Sequence, residues 1–330
     1  MFVLARLAFW VSWWSLTLPL VVLVRRLRHG RARPTWGYLY ELFATWMLNA
    51  EWANRWLPLP TARALIDGLG MLSPFGQYAF AGHADGPVPA TWHGRADGPV
   101  LLYLHGGAFL LGSTSAYRDS LAHISRASQM RVLAPDYRLA PEHPPPAQLE
   151  DALATYRWLL EQVPADQIFV AGDSAGGNLT ACLLIALRDN GEPLPAGACL
   201  ISPWVDLREQ AIDSPWDYVP PDLHEMYSMR YAGEGADLAD PKLSPVEAEL
   251  SGLPPLLVMV GGAERLRDCG RVFADRATKA GVAVAFDEVP DQVHAWPLFA
   301  AFLPEARRSL MRMGEFARDC VHKEELRKAG

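Results

Sequence analysis

Gly172-Asp173-Ser174-Ala175-Gly176-Gly177 follows the apolar run Ile168-Phe169-Val170-Ala171 and leads into a helical pattern. A strand that passes through Gly-x-Ser-x-Gly into a helix makes a sharp, strained turn that lifts the serine hydroxyl out of the fold. Small residues must flank it because neighbouring backbone passes close by. An ordinary glycine-rich turn with an idle serine also satisfies this pattern, so its weight depends on what surrounds it.

From Val100 onward, short apolar runs alternate with helical patterns, which predicts a mostly parallel sheet with crossover helices. The expected strands are Val100–Leu104, Arg131–Ala134, Ile168–Ala171, Cys199–Ser202, Pro255–Val260 and Val282–Val289. Helices are expected at Ser115–Ser128, Ala147–Gln162, Gly177–Arg188, Gly270–Ala280 and Pro304–Cys320. Asp206–Ser244 breaks the rhythm with Trp216, Tyr218, Pro220, Pro221, Met226 and Tyr227. An irregular insertion of about 40 residues in a compact domain is usually functional, commonly a lid. The expected division is an apolar segment with a basic flank at 1–33, a helical cap segment at 34–75, and a catalytic domain at 76–330 that carries the cap insertion at about 206–244.

The chain of 330 residues, 50% hydrophobic, is long enough to bury a large core. Its net charge of −7 gives no electrostatic footprint for nucleic acid. Cys182, Cys199, Cys269 and Cys320 are scattered, with no CxxC pair and no zinc spacing, so no metal is expected.

The N-terminus is different. Leu7–Val24 is an 18-residue uncharged stretch containing Trp10, Trp13 and Trp14, and Arg25, Arg26, Arg28, Arg31 and Arg33 follow it. Length and flanks fit a short transmembrane or interfacial helix. A cleaved signal peptide is disfavoured, because the cations follow the apolar run and no small-residue cleavage site comes after it. The positive-inside rule would place the catalytic domain on the cytoplasmic side of a membrane. The alternative is a cap helix over the active site of a cytoplasmic protein, and Arg6, Ser12, Ser15, Thr17 and Pro19 weaken a spanning reading.

A serine hydroxyl needs a base to take its proton and donors to receive charge from the attacked carbonyl. His105-Gly106-Gly107-Ala108-Phe109, directly after a strand, leaves backbone N–H groups free to converge on an oxyanion. Gly106, Gly107, Ala108 and Ala175 are therefore the candidate oxyanion donors. His294, on a loop past the last strand, is the candidate base. Glu264, nearer a strand end, is the favoured acid, and Asp268, four residues on and expected to cap the next helix, is the alternative. Asp136-Tyr137-Arg138-Leu139-Ala140-Pro141-Glu142-His143-Pro144 reads as a strand exit and rigid turn, its charges forming a bracing network. Phe109, Trp204, His224 and Met226 are the expected pocket-lining residues.

The order Ser174, Glu264, His294 is that of the α/β-hydrolase triad. Together with His105-Gly106-Gly107, Tyr137–Pro144, Gly172–Gly177 and Leu243-Ser244-Pro245, it makes residues 80–318 resemble the hormone-sensitive-lipase branch of that fold. The resemblance implies Ser174 as nucleophile, His294 as base, Glu264 as acid, a cap from the N-terminal helices and the Asp206–Ser244 insertion, and no metal or cofactor. Three departures stand out. Ala108 replaces the usual third glycine, which implies a negative φ there and a narrower acyl pocket. Glu264-Arg265 replaces the usual Asp-Pro. The apolar N-terminus is longer than a soluble esterase needs.

The expected function is a serine carboxylic-ester hydrolase acting on short- to medium-chain esters of hydrophobic alcohols, with lactones, as cyclic esters, the alternative substrate. A non-catalytic small-molecule receptor of this fold is the alternative of another class, disfavoured because His294 is present, and a lyase of the same fold is a further one.

Overall fold

The computed structural model describes residues 17–54, 57–71, 79–208, 214–219 and 221–329. Eight strands are β1 (Phe80–Ala84), β2 (Ala90–His93), β3 (Val100–Leu104), β4 (Arg131–Pro135), β5 (Ile168–Asp173), β6 (Gly197–Ile201), β7 (Leu256–Gly261) and β8 (Val284–Val289). They form one sheet in the order β1-β2-β4-β3-β5-β6-β7-β8. β1 pairs antiparallel with β2, and β2 with β4; every other pairing is parallel. β3, β5, β6 and β7 are buried along their whole length, because helices cover both faces. Alternation sorts their side chains: Val100, Leu102 and Leu104 join one core, Leu101 and Tyr103 the other.

The helices among the described residues are α1 (residues 17–29), α2 (Tyr38–Asn54), α3 (Leu59–Met71), α4 (Arg118–Ser128), α5 (Ala147–Leu160), α6 (Ala175–Asp189), α7 (Pro221–Ala232), α8 (Arg267–Lys279) and α9 (Pro304–Ala329). α5, α6 and α8 pack on one face of the sheet, α2, α4 and α9 on the other. α6 begins at Ala175, two residues before the expected start, because the turn at Ser174 opens directly into it. α8 begins at Arg267 with Leu266 as its N-cap, so Asp268 lies inside the first turn instead of capping it.

The expected apolar stretch Leu7–Val24 falls largely outside the described residues. No helix of the described residues is long and apolar enough to cross a membrane; residues 7–16 lie outside them. The basic flank is folded inward. The Glu41 carboxylate on α2, fully buried, accepts from Arg25 at 2.5 Å, from Arg26 at 2.8 Å and from the Ala32 N–H at 3.3 Å. Arg33 pairs with Asp291 at 3.7 Å. These three cations are paired with carboxylates of the fold.

The insertion at 206–244 contains α7, whose Tyr231 stacks on Phe109 with ring centroids 3.9 Å apart. Leu223, Tyr227 and Tyr231 are buried against the main core.

Candidate active site

Ser174 sits between β5 and α6 at φ 52°, ψ −118°, half-buried amid fully buried neighbours. Its N–H donates to Ile201 O at 2.9 Å and its carbonyl accepts from Trp204 N–H at 3.0 Å, which pins the turn to the end of β6. A Cβ at Gly172 would collide with Gly176 O, and one at Gly176 with the carbonyls of Leu104 and His105. The glycines flanking the serine are therefore set by close backbone approach. Asp173, beside the serine, is buried and accepts from Tyr103 Oη (2.8 Å), Tyr117 Oη (2.9 Å) and Gly106 N–H (3.1 Å). Burial raises its carboxyl, and these bonds work against that rise.

The Gly106 N–H also meets Tyr117 Oη at 3.0 Å. It is thus held by internal acceptors, and this part of the donor expectation is corrected. Gly107, Ala108 and Ala175 N–H have no acceptor among the described residues. The expected negative φ at Ala108 is also wrong: Gly107, Ala108 and Phe109 stand at φ 112°, 55° and 61°. The loop keeps the left-handed course a third glycine would allow, with the strain carried by alanine and phenylalanine. Tyr137 Oη donates to His105 O at 2.6 Å, and Arg63 on α3 donates to Leu110 O and Ala140 O, both at 2.8 Å. Arg138 is braced by Asp151 and Glu150.

Glu264 follows β7 and His294 follows β8, so both stand at the carboxyl edge of the sheet with Ser174. Glu264 Oε2 lies 3.5 Å from His294 Nδ1 and accepts from Ser202 Oγ at 2.6 Å. Ser202, at φ 45°, in turn accepts the Ala295 N–H at 3.0 Å, tying the acid loop to the histidine loop. Burial works to lower the His294 imidazole; the Glu264 carboxylate facing Nδ1 and the Asp217 and Asp173 charges outweigh it and hold the ring above its ordinary 6.5. Burial raises Glu264 against the pull of His294 and Ser202. Asp268 is half-exposed and bonded to Arg267.

Among the expected pocket residues, Trp204 and His224 meet edge to face at 5.1 Å. Burial, reinforced by His294 and Arg265, pushes His224 down to about 3, so its ring is neutral. Met226 is half-buried against the core that holds Phe109 and Trp204. Among the described residues no group of three or more His, Cys, Asp or Glu suits a metal ion. Sequence reasoning missed Ser202, Asp217 and Tyr218. None lies in a recognisable motif, and the one available signal was an acidic residue embedded in an aromatic stretch of the insertion.

A family profile described as alpha/beta hydrolase fold matches residues 101–298. The chain belongs to the α/β-hydrolase family. It is 40% identical over 285 residues to an acetyl-hydrolase of Streptomyces hygroscopicus, covering 82% of this chain and 91% of the relative. An esterase of Acinetobacter venetianus is 34% identical over 221 residues, 65% of this chain and 73% of the relative. Among solved structures, this α/β-hydrolase superposes on an esterase of the bacterial hormone-sensitive lipase family with a TM-score of 0.79 at 38% identity, covering 84% of this chain and 97% of the other. A hormone-sensitive lipase from a metagenome library gives 0.80 at 34% identity, over 84% and 97%. The hormone-sensitive-lipase-like character expected from the motifs is therefore shown.

Proposed function

We propose that this ester-hydrolysing α/β-hydrolase works through an acyl-enzyme on Ser174. The observation that carries the reading is the buried Glu264–His294 pair beside the strained serine turn. Ser174 Oγ attacks the ester carbonyl as His294 takes its proton. Glu264 stabilises the imidazolium, and the N–H groups of Gly107, Ala108 and Ala175 receive the oxyanion. His294 then protonates the leaving alcohol, and water hydrolyses the acyl-enzyme by the same route. The stacked Phe109–Tyr231 and the Trp204–His224 pair support a site for short- to medium-chain acyl groups on hydrophobic alcohols. The acetyl-hydrolase relative supports the short end.

The test is fluorophosphonate labelling followed by turnover on a panel of acetate to octanoate esters and simple lactones. Labelling should map to Ser174, and Ser174→Ala and His294→Ala should each lose about 10³-fold or more. An unlabelled Ser174, or best turnover on charged, water-soluble esters, would overturn the reading. Contact of the N-terminal stretch with a membrane surface, without crossing, is supported by the exposed Leu20, Val21, Leu23, Val24 and Leu27 of α1. Failure to co-sediment with phosphatidylcholine–phosphatidylglycerol vesicles would refute it.

A further inference from the structure

The acid of this site is followed by Arg265, whose N–H donates to Asp217 Oδ2 at 2.6 Å. Asp217 belongs to the insertion and is 3% exposed; its other oxygen accepts the Val219 N–H at 2.9 Å. Two residues of the same segment make parallel bonds. Ser214 Oγ donates to Ala263 O at 2.5 Å, one residue before the acid. Tyr218 Oη donates to His294 O at 3.0 Å, and its ring meets the imidazole edge-on at 5.7 Å. A short piece of the lid therefore grips the acid loop on both sides of Glu264 and the base loop at His294 itself.

We propose that Ser214–Tyr218 is a staple that sets the acid loop against the base loop, with Asp217 and Tyr218 as positioning residues for His294. The need is physical: glutamate has one more torsion than aspartate, and the Oε2···Nδ1 separation of 3.5 Å leaves little margin for drift. The segment is itself supported from behind. Trp216 packs edge-on against Trp36 at 5.0 Å and lies under Arg25 at 4.8 Å. Trp36 Nε1 donates to Asp291 O at 2.6 Å, and Tyr40 Oη accepts the Val293 N–H at 3.2 Å. The lid, the N-terminal helices and the base loop thus form one hydrogen-bonded unit.

Asp217 has an electrostatic role as well. The charged groups around the His294 ring are Glu264 after β7, Asp173 at the end of β5 and Asp217 from the insertion. The Arg265 guanidinium faces Asp217 and His224, and His224 is neutral. Burial raises the Asp217 carboxyl, and the His294 charge and the Arg265 and Val219 N–H groups pull the other way. The ionised form favours the imidazolium, so removing its charge lowers the pH at which the base becomes neutral.

This inference rests on Ser174–Glu264–His294 as the working groups. The experiment compares the full-length parent with Asp217→Asn and Tyr218→Phe on p-nitrophenyl acetate across pH 5–9, with fluorophosphonate labelling and thermal melting of each. In Asp217→Asn the acid limb of kcat/KM should move down by about half a pH unit or more, and kcat should fall with KM within twofold. In Tyr218→Phe kcat should fall about threefold to tenfold at unchanged KM, with the limb in place. A merely structural role would lower melting temperature and leave the limb unmoved. An unmoved limb in a folded Asp217→Asn overturns the proposal; if that variant does not fold, parental kcat in Tyr218→Phe does so. A parent that fails to label at Ser174 refutes the triad reading instead.

Discussion

Replacing Glu264 by Gln removes one charge and almost nothing else. Glutamine has the same shape, and its carbonyl can still accept the Ser202 hydroxyl now bonded at 2.6 Å. What disappears is the carboxylate facing His294 Nδ1, in a site where Glu264 is 2% and His294 5% exposed. A neutral partner that cannot stabilise the imidazolium costs a serine triad of this kind about 10⁴ in kcat. At 1.36 kcal/mol per decade, that is about 5 kcal/mol of transition-state stabilisation. Because the acid-loop backbone is also held by Asp217 and Ser214, the loop should stay in place, and about 10³-fold is the least loss expected. Asp268→Asn is the control. Its carboxylate is half-exposed and bonded to the adjacent Arg267, so activity should stay within about twofold and stability within about 1 kcal/mol. The assay is kcat/KM on p-nitrophenyl acetate from pH 5 to 9, with thermal melts of both variants. In the parent, His294 must be neutral to act and is held above 6.5, so kcat/KM should rise with pH through a value above 6.5. Glu264→Gln should move that rise to lower pH. Retention of a tenth of parental activity, or an equal loss in Asp268→Asn, would refute the assignment.

Ala108→Val should destabilise by about 2 kcal/mol, since a β-branched residue tolerates φ 55° worse than alanine does. Ala108→Gly should stay within about 1 kcal/mol, relief of strain being offset by the flexibility of glycine; denaturant midpoints read both. Burial, with Arg118 nearby, pushes His93 down to about 4 from 6.5. A base depressed on folding contributes stability that is full above 6.5 and lost as pH falls toward 4. The expected loss between pH 7 and pH 4.5 is about 2 kcal/mol, which His93→Phe should abolish in chemical denaturation at those two values. Glu41→Ala leaves Arg25 and Arg26 without their shared carboxylate and should cost about 3 kcal/mol by thermal unfolding.

The central strands were legible because burial on both faces demands unbroken apolar runs, as in Leu101–Leu104 and Ile168–Ala171. β1 and β2 were not foreseen. Phe-Ala-Gly-His-Ala and Ala-Thr-Trp-His are short and carry glycine or histidine, and they are held only by antiparallel pairing, β2 on β4 and β1 on β2. Glu264 over Asp268 followed from nearness to the strand end, and the structure brings that residue to His294. The sign of φ at Ala108 was missed because side-chain type favours but does not dictate it. Local turn bonds such as Leu110 N–H and Leu111 N–H to Gly107 O bend the loop regardless. The pairing of Arg25 and Arg26 was not legible, because an apolar run followed by cations describes a membrane flank and an ion-paired helix equally well. The partner, Glu41, lies 15 residues away from Arg26 and only the fold brings it back.

That buried carboxylate also fixes where the chain can be cut. A shortened protein beginning at residue 34 would discard both guanidiniums and leave the buried Glu41 carboxylate of α2 without them, close in sequence to the Trp36 and Tyr40 side chains that hold Asp291 and Val293. One beginning at residue 17 would lose the first apolar residues yet keep the charge neutralised. Any attempt to make this enzyme shorter or to fuse a partner at its front should therefore keep Arg25 and Arg26 together with the buried Leu18 and Val22 that precede them.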